Sequence, residues 1–502
     1  MSKPSMSKSS SAHASARRVS RVRYAPHALA TTVALALALT GCGSKQEEAA
    51  PAAKPEVAAV AKPEAASICQ ASQSWITSPN PPAEVPTAET FCDFYQFSWQ
   101  WFLAQVSPAS DPSTGANRVF ETNRLHNPKV KNGQCSLPAL MGQAKAALML
   151  DIRDDKPQGF EDSQADGNAL YDQNGNILLY NTWYSKAMCD STQEGFAWGT
   201  FEIKVAWKVL PQPDPTYYSM QATLPGTKQQ VTLGMVGFHI ANWTQNHPEM
   251  IWATFEHKTN APLCDGTSAM PTSGWSFTSA DAANCLTQNP QKTSGPPSAN
   301  CSSFKFNTPN QQQDPQPLTG TPNNVCRQYA WGNQQGESVN GNNNQSNFAA
   351  ITQLNEQLVG PKGMLTALPD TDPMAIWKNY EMIGGIWTKG GASSGNAPVP
   401  HMSNGSVVPG DPNSPQRGSL ELANMSMETF QQGDSSYIPN CFGCHNFDTA
   451  KPLNVSHICT SLFTSDDSGK NCIIPPRTLP AAAAAAAPAA PAAPAPAAPE
   501  KK

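Results

Sequence analysis

The sequence predicts an α+β fold, with a large β-rich N-terminal domain over residues 67–400 and a small helical C-terminal domain over residues 401–477. Strand-like segments with alternating apolar residues lie in the first part and predict a sheet. A helix start at Asn424 or Ser426 precedes a compact cysteine-containing motif and predicts the helical part. Only 14% of the residues are charged, and Pro and Gly number 46 and 33, so the composition favours loops over long helices.

Several segments of the large domain carry local signals. Phe91–Val106 is dense in aromatic residues and predicts a buried helix. Residues 172–176 contain Asn-Gly between two apolar runs, which predicts a β-hairpin. Apolar and charged residues alternate over Phe201–Leu210, which predicts a half-exposed strand, and two further strands are expected at 231–240 and 250–257.

Two more helices are predicted towards the end of this domain. Ser346 caps a helix whose apolar residues share one face and which ends at residues 360–361. Pro373 begins a second helix that Gly384 and Gly385 close. The segment 289–346 is rich in Pro, Gln and Asn, so we expect a long irregular excursion there.

The N-terminus resembles a bacterial lipoprotein signal over residues 1–41. The apolar run at 28–39 is too short to span a bilayer as a permanent helix. It ends in Leu39-Thr40-Gly41-Cys42, which is similar to a lipobox and implies cleavage before Cys42 and a lipid on its sulfur. An ordinary secretory signal with an incidental cysteine is the alternative.

The flanking segments predict how the protein is placed in the cell. Gly43 rather than Asp follows the lipidated cysteine, which implies an outer-membrane lipoprotein that faces the periplasm or the cell surface. Residues 42–66 predict a flexible tether, and the Ala/Pro-rich residues 478–502 predict an extended tail. The lipid is the expected link to the membrane.

The most specific motif is Cys441-Phe442-Gly443-Cys444-His445, which is the C-x-x-C-H signature of c-type haem attachment. It predicts one covalent haem c. Cys441 and Cys444 would bind the haem vinyl groups, and His445 would be the proximal iron ligand. A zinc site is the weaker interpretation, because no second C-x-x-C completes it. Haem attachment takes place outside the cytoplasm, which agrees with the export signal.

The sixth iron ligand stays open, because no methionine follows His445 in the sequence. His457 can bind as a second histidine, and Met425 or Met427 can reach back from upstream. The third alternative is an open, five-coordinate iron. A Met/His pair would raise the reduction potential relative to a His/His pair, whereas an open site would permit oxygen or peroxide chemistry.

A second group of candidate residues lies between residues 237 and 257. His239, Glu256 and His257 combine imidazole and carboxylate groups, which suit acid–base catalysis or a transition metal. The alternative is a core strand with satisfied polar side chains. The sequence contains no phosphate-binding loop, serine elbow or dinucleotide fingerprint.

Cysteine counting also indicates an oxidising compartment. The chain has 13 cysteines, and ten remain once the lipid and haem sites are assigned, which fits five disulfides. Connectivity is not fixed by sequence, so pairing of near neighbours is the simplest expectation: Cys264 with Cys285, Cys301 with Cys326, and Cys459 with Cys472.

The charge balance restricts the class of partner. Removal of the signal leaves 27 Lys and Arg against 38 Asp and Glu, a net charge near −11. This balance argues against nucleic acid and favours a basic redox partner protein.

Together, these segments resemble a poorly characterised family of bacterial mono-haem c-type cytochrome proteins. The resemblance implies a cytochrome c-like fold for the C-terminal domain, haem binding and a redox role, without a defined substrate. The lipobox and the tail lie outside it. Besides the haem motif, the likeness rests on residues 97–104, 201–210, 237–240, 251–257, 376–384 and 422–430.

The sequence favours two possible functions. The first is a lipid-anchored cytochrome that transfers electrons in the periplasm or at the cell surface. The alternative is a haem-c oxidoreductase, peroxidase-like or oxygenase-like, with a substrate pocket in the large domain. A binding module for extracellular polymer or metal, with haem as a sensor, is a weaker third hypothesis.

Overall fold

The structure is a computed structural model, and it describes the chain from Cys69 onwards with gaps. The predictions for Cys42, Cys444, Cys459 and His457, and for the signal, tether and tail, lie outside the described residues. The described residues are 69–110, 117–122, 129–131, 134–136, 148–149, 168–185, 187–188, 191, 195–224, 229–292, 294–310, 317–332, 338–339, 342–388, 416–432, 440–443, 445, 455–456, 464–465 and 472–473.

Five α-helices and fourteen strands are assigned among these residues. The helices are α1 (Ser74–Thr77), α2 (Phe91–Val106), α3 (Val119–Thr122), α4 (Ala280–Gln288) and α5 (Asn344–Val359). The strands are β1 (Lys129–Lys131), β2 (Gln134–Ser136), β3 (Leu148–Met149), β4 (Leu179–Tyr184), β5 (Phe201–Leu210), β6 (Ser219–Thr223), β7 (Gln230–Asn242), β8 (Ile251–His257), β9 (Ser338–Val339), β10 (Asn342–Asn343), β11 (Tyr380–Thr388), β12 (Gln416–Gly418), β13 (Thr464–Ser465) and β14 (Cys472–Ile473). Short 3-10 helices cover Ala299–Phe304, Ala330–Gly332, Ala375–Asn379, Thr429–Gln431 and Cys441–Gly443.

One mixed sheet dominates the fold, in the order β12-β11-β8-β7-β5-β4. All these neighbours pair antiparallel; β6 also pairs antiparallel with β7, and β3 adds one parallel pairing to β6. The prediction of a β-rich α+β protein is therefore confirmed at the level of fold class. No helix of the described residues is long and apolar enough to cross a membrane.

The first face of the sheet packs against α2. Thr90 caps the helix, since its hydroxyl accepts from Asp93 N at 3.2 Å while the Asp93 carboxylate accepts from Thr90 N at 2.9 Å. This capping box satisfies two donors that the helix start leaves unpaired. Phe102 of α2 stacks on Phe255 of β8 with ring centroids 4.0 Å apart, and Trp99 meets the same ring edge-on.

The second face is covered by a different layer. A hydrophobic cluster here joins β4, β5 and β7 to Ala423, Met425 and Met427, which follow β12 in the chain. Glu202 of β5 was expected on an exposed face but is only 8% exposed. The prediction that one face of β5 is exposed was thus wrong at Glu202, because the C-terminal part of the chain packs over the strand.

Several local predictions are confirmed. The aromatic helix and β5 occur at the expected bounds, and β7 and β8 match the two further predicted strands. The turn at residues 172–176 is a tight hairpin, since Tyr171 pairs with Ile177 and Gly175 adopts φ +77°. The helix expected at Ser346 is α5, which begins two residues earlier.

The helix predicted from Pro373 to Gly385 is wrong. A 3-10 turn at Ala375–Asn379 leads directly into β11, whose register with β8 shifts between Met382 and Gly384. A Cβ atom on Gly384 would lie 2.3 Å from Ser419 Oγ. The glycine therefore permits close approach of the segment after β12, rather than ending a helix.

The helix expected at Asn424 or Ser426 is also wrong. Over the described residues 424–432 the main chain forms turns and the 3-10 helix Thr429–Gln431, and no α-helix. Hydrogen bonds from the Asn424 side chain explain the difference, because its Oδ1 accepts from Ser426 N at 2.8 Å while its Nδ2 donates to Thr254 Oγ1 at 2.7 Å. Such side-chain bonds compete with helical ones.

The expected disulfide pairing is corrected as well. The bonds are nested, with Cys264–Cys326 enclosing Cys285–Cys301, and a third disulfide joins Cys69 to Cys92. The outer bond forms because residues 263 and 327 pair side by side, with Cys264 N donating to Arg327 O at 2.9 Å. The predicted pairs Cys264–Cys285 and Cys301–Cys326 are therefore wrong.

Replacement of Phe102 by alanine should lower the free energy of unfolding by about 3–5 kcal/mol, because it removes a fully buried ring between the helix and the sheet. Chemical denaturation of the purified chain measures this. Phe348→Ala is the control, since that ring is 40% exposed and its loss should change stability little. Equal effects of the two substitutions would contradict the packing described.

Candidate functional site

The haem motif begins on a tight turn. Cys441–Gly443 forms one 3-10 turn, and His445 N donates to Cys441 O at 2.8 Å. Asn440 anchors this turn, since its Oδ1 accepts from Phe442 N at 3.0 Å and its Nδ2 donates to Leu420 O at 2.9 Å. Phe442 is fully buried. The turn is therefore tied to the segment that follows β12.

The His445 imidazole has a defined orientation. Its Nδ1 lies 2.9 Å from the main-chain oxygen of Val455. Because a carbonyl oxygen only accepts, Nδ1 carries the proton and the lone pair is on Nε2. Iron-binding histidines commonly make this second hydrogen bond. The donor set of thiol and oriented imidazole thus fits a covalently attached haem.

The indole of Trp252, on β8, packs against this imidazole. The two ring centroids are 4.2 Å apart and the planes are tilted by 38°. Trp252 Nε1 donates to the main-chain oxygen of Glu249 at 3.1 Å, and the side chain is almost fully buried. Trp252, a residue of the large sheet, therefore covers one side of the His445 imidazole.

A buried carboxyl lies next to the same region. Glu202 of β5 accepts a short hydrogen bond from the Ser456 hydroxyl, one residue after the carbonyl that His445 contacts. Burial raises the pKa of Glu202 to about 7, although the Ser456 hydrogen bond and the charge of Lys204 oppose this. The segment around Val455 is thereby held on β5.

Among the candidate acid–base residues, His239 shares a sheet face with Trp252. His239 pairs with Thr254, which is two residues from Trp252 on β8. Its Nε2 lies 2.9 Å from Glu428 Oε1, and the two side chains are 18% and 23% exposed. Burial acts to raise the pKa of Glu428, but the charge and hydrogen bond of His239 lower it overall. This pair is accessible to solvent.

Glu256 is engaged in structural contacts. It binds Arg327 Nη2 at 2.7 Å and also accepts from Met425 N at 2.7 Å. His257 points to the opposite face, as the alternation along β8 predicts, and burial lowers its pKa to about 3. Its Nε2 lies 3.0 Å from Thr216 O, so the imidazole is neutral and hydrogen-bonded.

Both candidate methionines are packed in the second-face cluster. Met425 and Met427 are fully buried, and Met425 Sδ accepts from Gln432 Nε2 at 3.3 Å. Met427 lies against Gly237, where a Cβ would be 3.1 Å from its methyl carbon. Gly237 is four residues along β7 from Ala241, which pairs with Trp252. This separation corresponds to about 13 Å along a strand.

The contacts that orient His445 were missed in the sequence. The alternation along a strand puts Trp252 on the same face as Thr254 and Glu256, but that periodicity does not identify what the face contacts. The Val455 carbonyl has no sequence signal, because every residue carries one. Within the described residues, no three His, Cys, Asp or Glu side chains form a group that could hold a metal ion.

No family model, no curated protein and no solved structure matches this chain.

Glu202→Gln should stabilise the protein selectively at high pH. A raised native pKa means that the carboxyl's contribution to stability is full below its usual pKa of about 4.5 and is lost as pH rises through about 7. The Gln side chain does not ionise and keeps a hydrogen-bond partner for Ser456. At pH 8 we expect the variant to be more stable than the wild type by up to about 3 kcal/mol.

Urea unfolding of both proteins between pH 5 and pH 8 tests this expectation. The control is Asp281→Asn, which alters an exposed carboxylate. A difference between Glu202→Gln and the wild type that does not change with pH would show that Glu202 ionises normally.

Proposed function

We propose that this chain is a lipid-anchored mono-haem c-type cytochrome that transfers electrons in the periplasm or at the cell surface. The C-x-x-C-H motif carries the proposal, since Cys441, Cys444 and His445 supply both thioether links and the proximal ligand. The hydrogen bond from His445 Nδ1 to Val455 supports it, because it leaves Nε2 as the coordinating nitrogen. The haem supplies the one-electron redox couple.

The surroundings of His445 also support a redox carrier. Trp252 and Phe442 provide buried apolar surface beside the motif. A shell of this kind restricts access of water and thereby tunes the reduction potential. Hydrogen bonds from Asn440 and Ser456 hold both sides of the motif on the rest of the structure. These contacts favour a site that keeps its geometry when an electron arrives or leaves.

The packing of the methionines bears on the sixth ligand. For Met425 or Met427 to reach the iron, its side chain would have to leave a fully buried cluster. Exposure of a buried methionine costs about 1.5–3 kcal/mol, before any cavity is counted. This favours His457 as sixth ligand, or an open iron, over either methionine.

The expected partner and location follow from the sequence alone. The lipobox at Cys42 supports attachment to the outer membrane. The net negative charge of the mature chain supports a basic redox partner protein, because opposite charges speed encounter.

A haem-c oxidoreductase is the second candidate, and the His239–Glu428 pair favours it. The pair is partly exposed on the same sheet face as Trp252. A histidine held by a carboxylate is suited to proton transfer. Glu256 and His257 support this alternative less, since the first is in an ion pair and the second lies on the opposite face.

Covalent haem is the first property to test. The full chain is produced in a bacterium that has a c-type haem maturation system, and haem is detected on denaturing gels and by the pyridine haemochrome spectrum. We expect one haem per chain, and loss of the gel signal in a double Cys441→Ser, Cys444→Ser variant. The matched control is Cys285→Ser with Cys301→Ser, which removes a disulfide and should keep the haem. A wild-type chain without covalent haem would overturn the proposal.

Carbon monoxide separates the two candidate functions. No change in the ferrous spectrum on addition of the gas would indicate a filled sixth position and an electron carrier. His457→Ala should then become reactive to the gas if His457 is the ligand. If the wild type binds carbon monoxide, the oxidoreductase is favoured. In that case His239→Ala should slow reduction of peroxide about 100-fold or more.

A further inference from the structure

We propose that Trp252 is a positioning residue that fixes the plane of the proximal imidazole of His445. The inference rests on the proposed haem function and deepens it. It assigns to the large sheet a direct part in setting the electronic structure of the haem. Val455 and Trp252 would act together, one on an edge of the imidazole and the other on its face.

The first restraint acts on the edge of the ring. An imidazole can rotate about its Cβ–Cγ bond, and this torsion has broad preferences. The bond from Nδ1 to the Val455 oxygen, at 2.9 Å, restricts the rotation but leaves a range of tilts, because carbonyl oxygens accept over a broad range of angles. A single hydrogen bond therefore does not define the plane.

The second restraint acts on the face of the ring. The Trp252 and His445 centroids are 4.2 Å apart, which is van der Waals contact between the two rings. Rotation of the imidazole towards the indole is blocked by this contact. The hydrogen bond to Val455 restricts the ring independently of this contact. The two contacts together therefore restrict the plane of the imidazole more than either contact does alone.

Trp252 can hold this position because it is itself fixed. Its Nε1–H donates to Glu249 O at 3.1 Å, and its strand is paired on both sides, to Ala241 of β7 and Ile386 of β11. The Glu249 carboxylate is buried and accepts from His247 Nδ1 at 2.9 Å and from Thr388 Oγ1 at 2.5 Å. The indole is thus held by its own hydrogen bond and by a strand that is paired on both sides.

The orientation of an axial imidazole has a direct spectroscopic consequence. Its plane decides how unpaired spin is distributed over the porphyrin of a ferric haem, and so where the haem methyl resonances appear in the proton NMR spectrum. These shifts report the ring plane independently of turnover. A residue with a merely structural role would not move them.

The test uses the holoprotein and two tryptophans on neighbouring strands. Trp252 is replaced by Phe and by Leu, and Trp387 by the same two residues. Trp387 is the matched control, because it is equally buried but stacks on Phe94 at 4.0 Å, on the opposite face of the sheet. Covalent haem, the haem methyl shifts and the reduction potential are measured for each variant.

We expect the methyl shifts to be displaced most in Trp252→Leu, less in Trp252→Phe, and not at all in either Trp387 variant. The reduction potential should change in the same order. If Trp252→Leu does not fold, the comparison of Trp252→Phe with Trp387→Phe decides. Wild-type shifts in a Trp252 variant that carries covalent haem would overturn the inference and leave the proposed function intact. Absence of covalent haem from the wild type would instead remove the proposed function itself.

Discussion

The second face of the sheet depends on one buried ion pair, between Glu256 and Arg327. The carboxylate accepts from the guanidinium at 2.7 Å and from the main-chain nitrogen of Met425 at 2.7 Å. The guanidinium also donates to Ala423 O at 2.7 Å. This pair therefore joins β8, the disulfide-bonded excursion and the segment before the haem motif. Loss of one partner would leave a buried charge, at a cost of about 3–5 kcal/mol.

The segment that the Glu256–Arg327 ion pair holds on the sheet also positions the haem motif. Residues 416–432 run across the sheet and cover β5, β7 and β8, and Asn440 then returns to Leu420. These contacts hold the chain that leads to His445, which packs against Trp252. The described residues of the two domains expected from sequence are thus in direct contact and belong to one compact unit.

Patterns of apolar residues in the sequence predicted some elements correctly. They failed where contacts with distant parts of the chain determine the main-chain conformation. The helix α2 was predicted from its density of aromatic residues, and the strand β5 from the alternation of apolar and charged residues. In contrast, Ile376, Trp377, Tyr380 and Ile383 have helical spacing, but only the first two lie in a 3-10 turn. Tyr380 and Ile383 lie on β11, where pairing with β8 decides the conformation. The Gly384-Gly385 pair was interpreted as a helix end. In the structure, the absence of a side chain at Gly384 allows Ser419 to pack closely against the strand. Local pattern carries no information about such a distant neighbour.

The motif of the candidate site is a local feature of the sequence, whereas the contacts that hold His445 are not. The spacing of Cys441, Cys444 and His445 is a local property, so the sequence predicts a covalent haem from five residues. The contact between Trp252 and His445 joins positions almost two hundred residues apart, and the hydrogen bond from His445 to Val455 uses a main-chain oxygen. Neither contact can be predicted from the sequence without knowledge of the fold. The burial of Glu202 was missed for the same reason.

The order of the chain has a consequence for maturation. The strands β5, β8 and β12, which contact the described residues of the segment 440–456, precede it in the chain. The surface that receives the segment can therefore exist before the segment is made. Once docked, Phe442 is enclosed and His445 is covered by Trp252. If the chain carries haem as proposed, the attachment machinery competes in time with this docking. A sheet that folds too quickly would then yield a compact, haem-free protein.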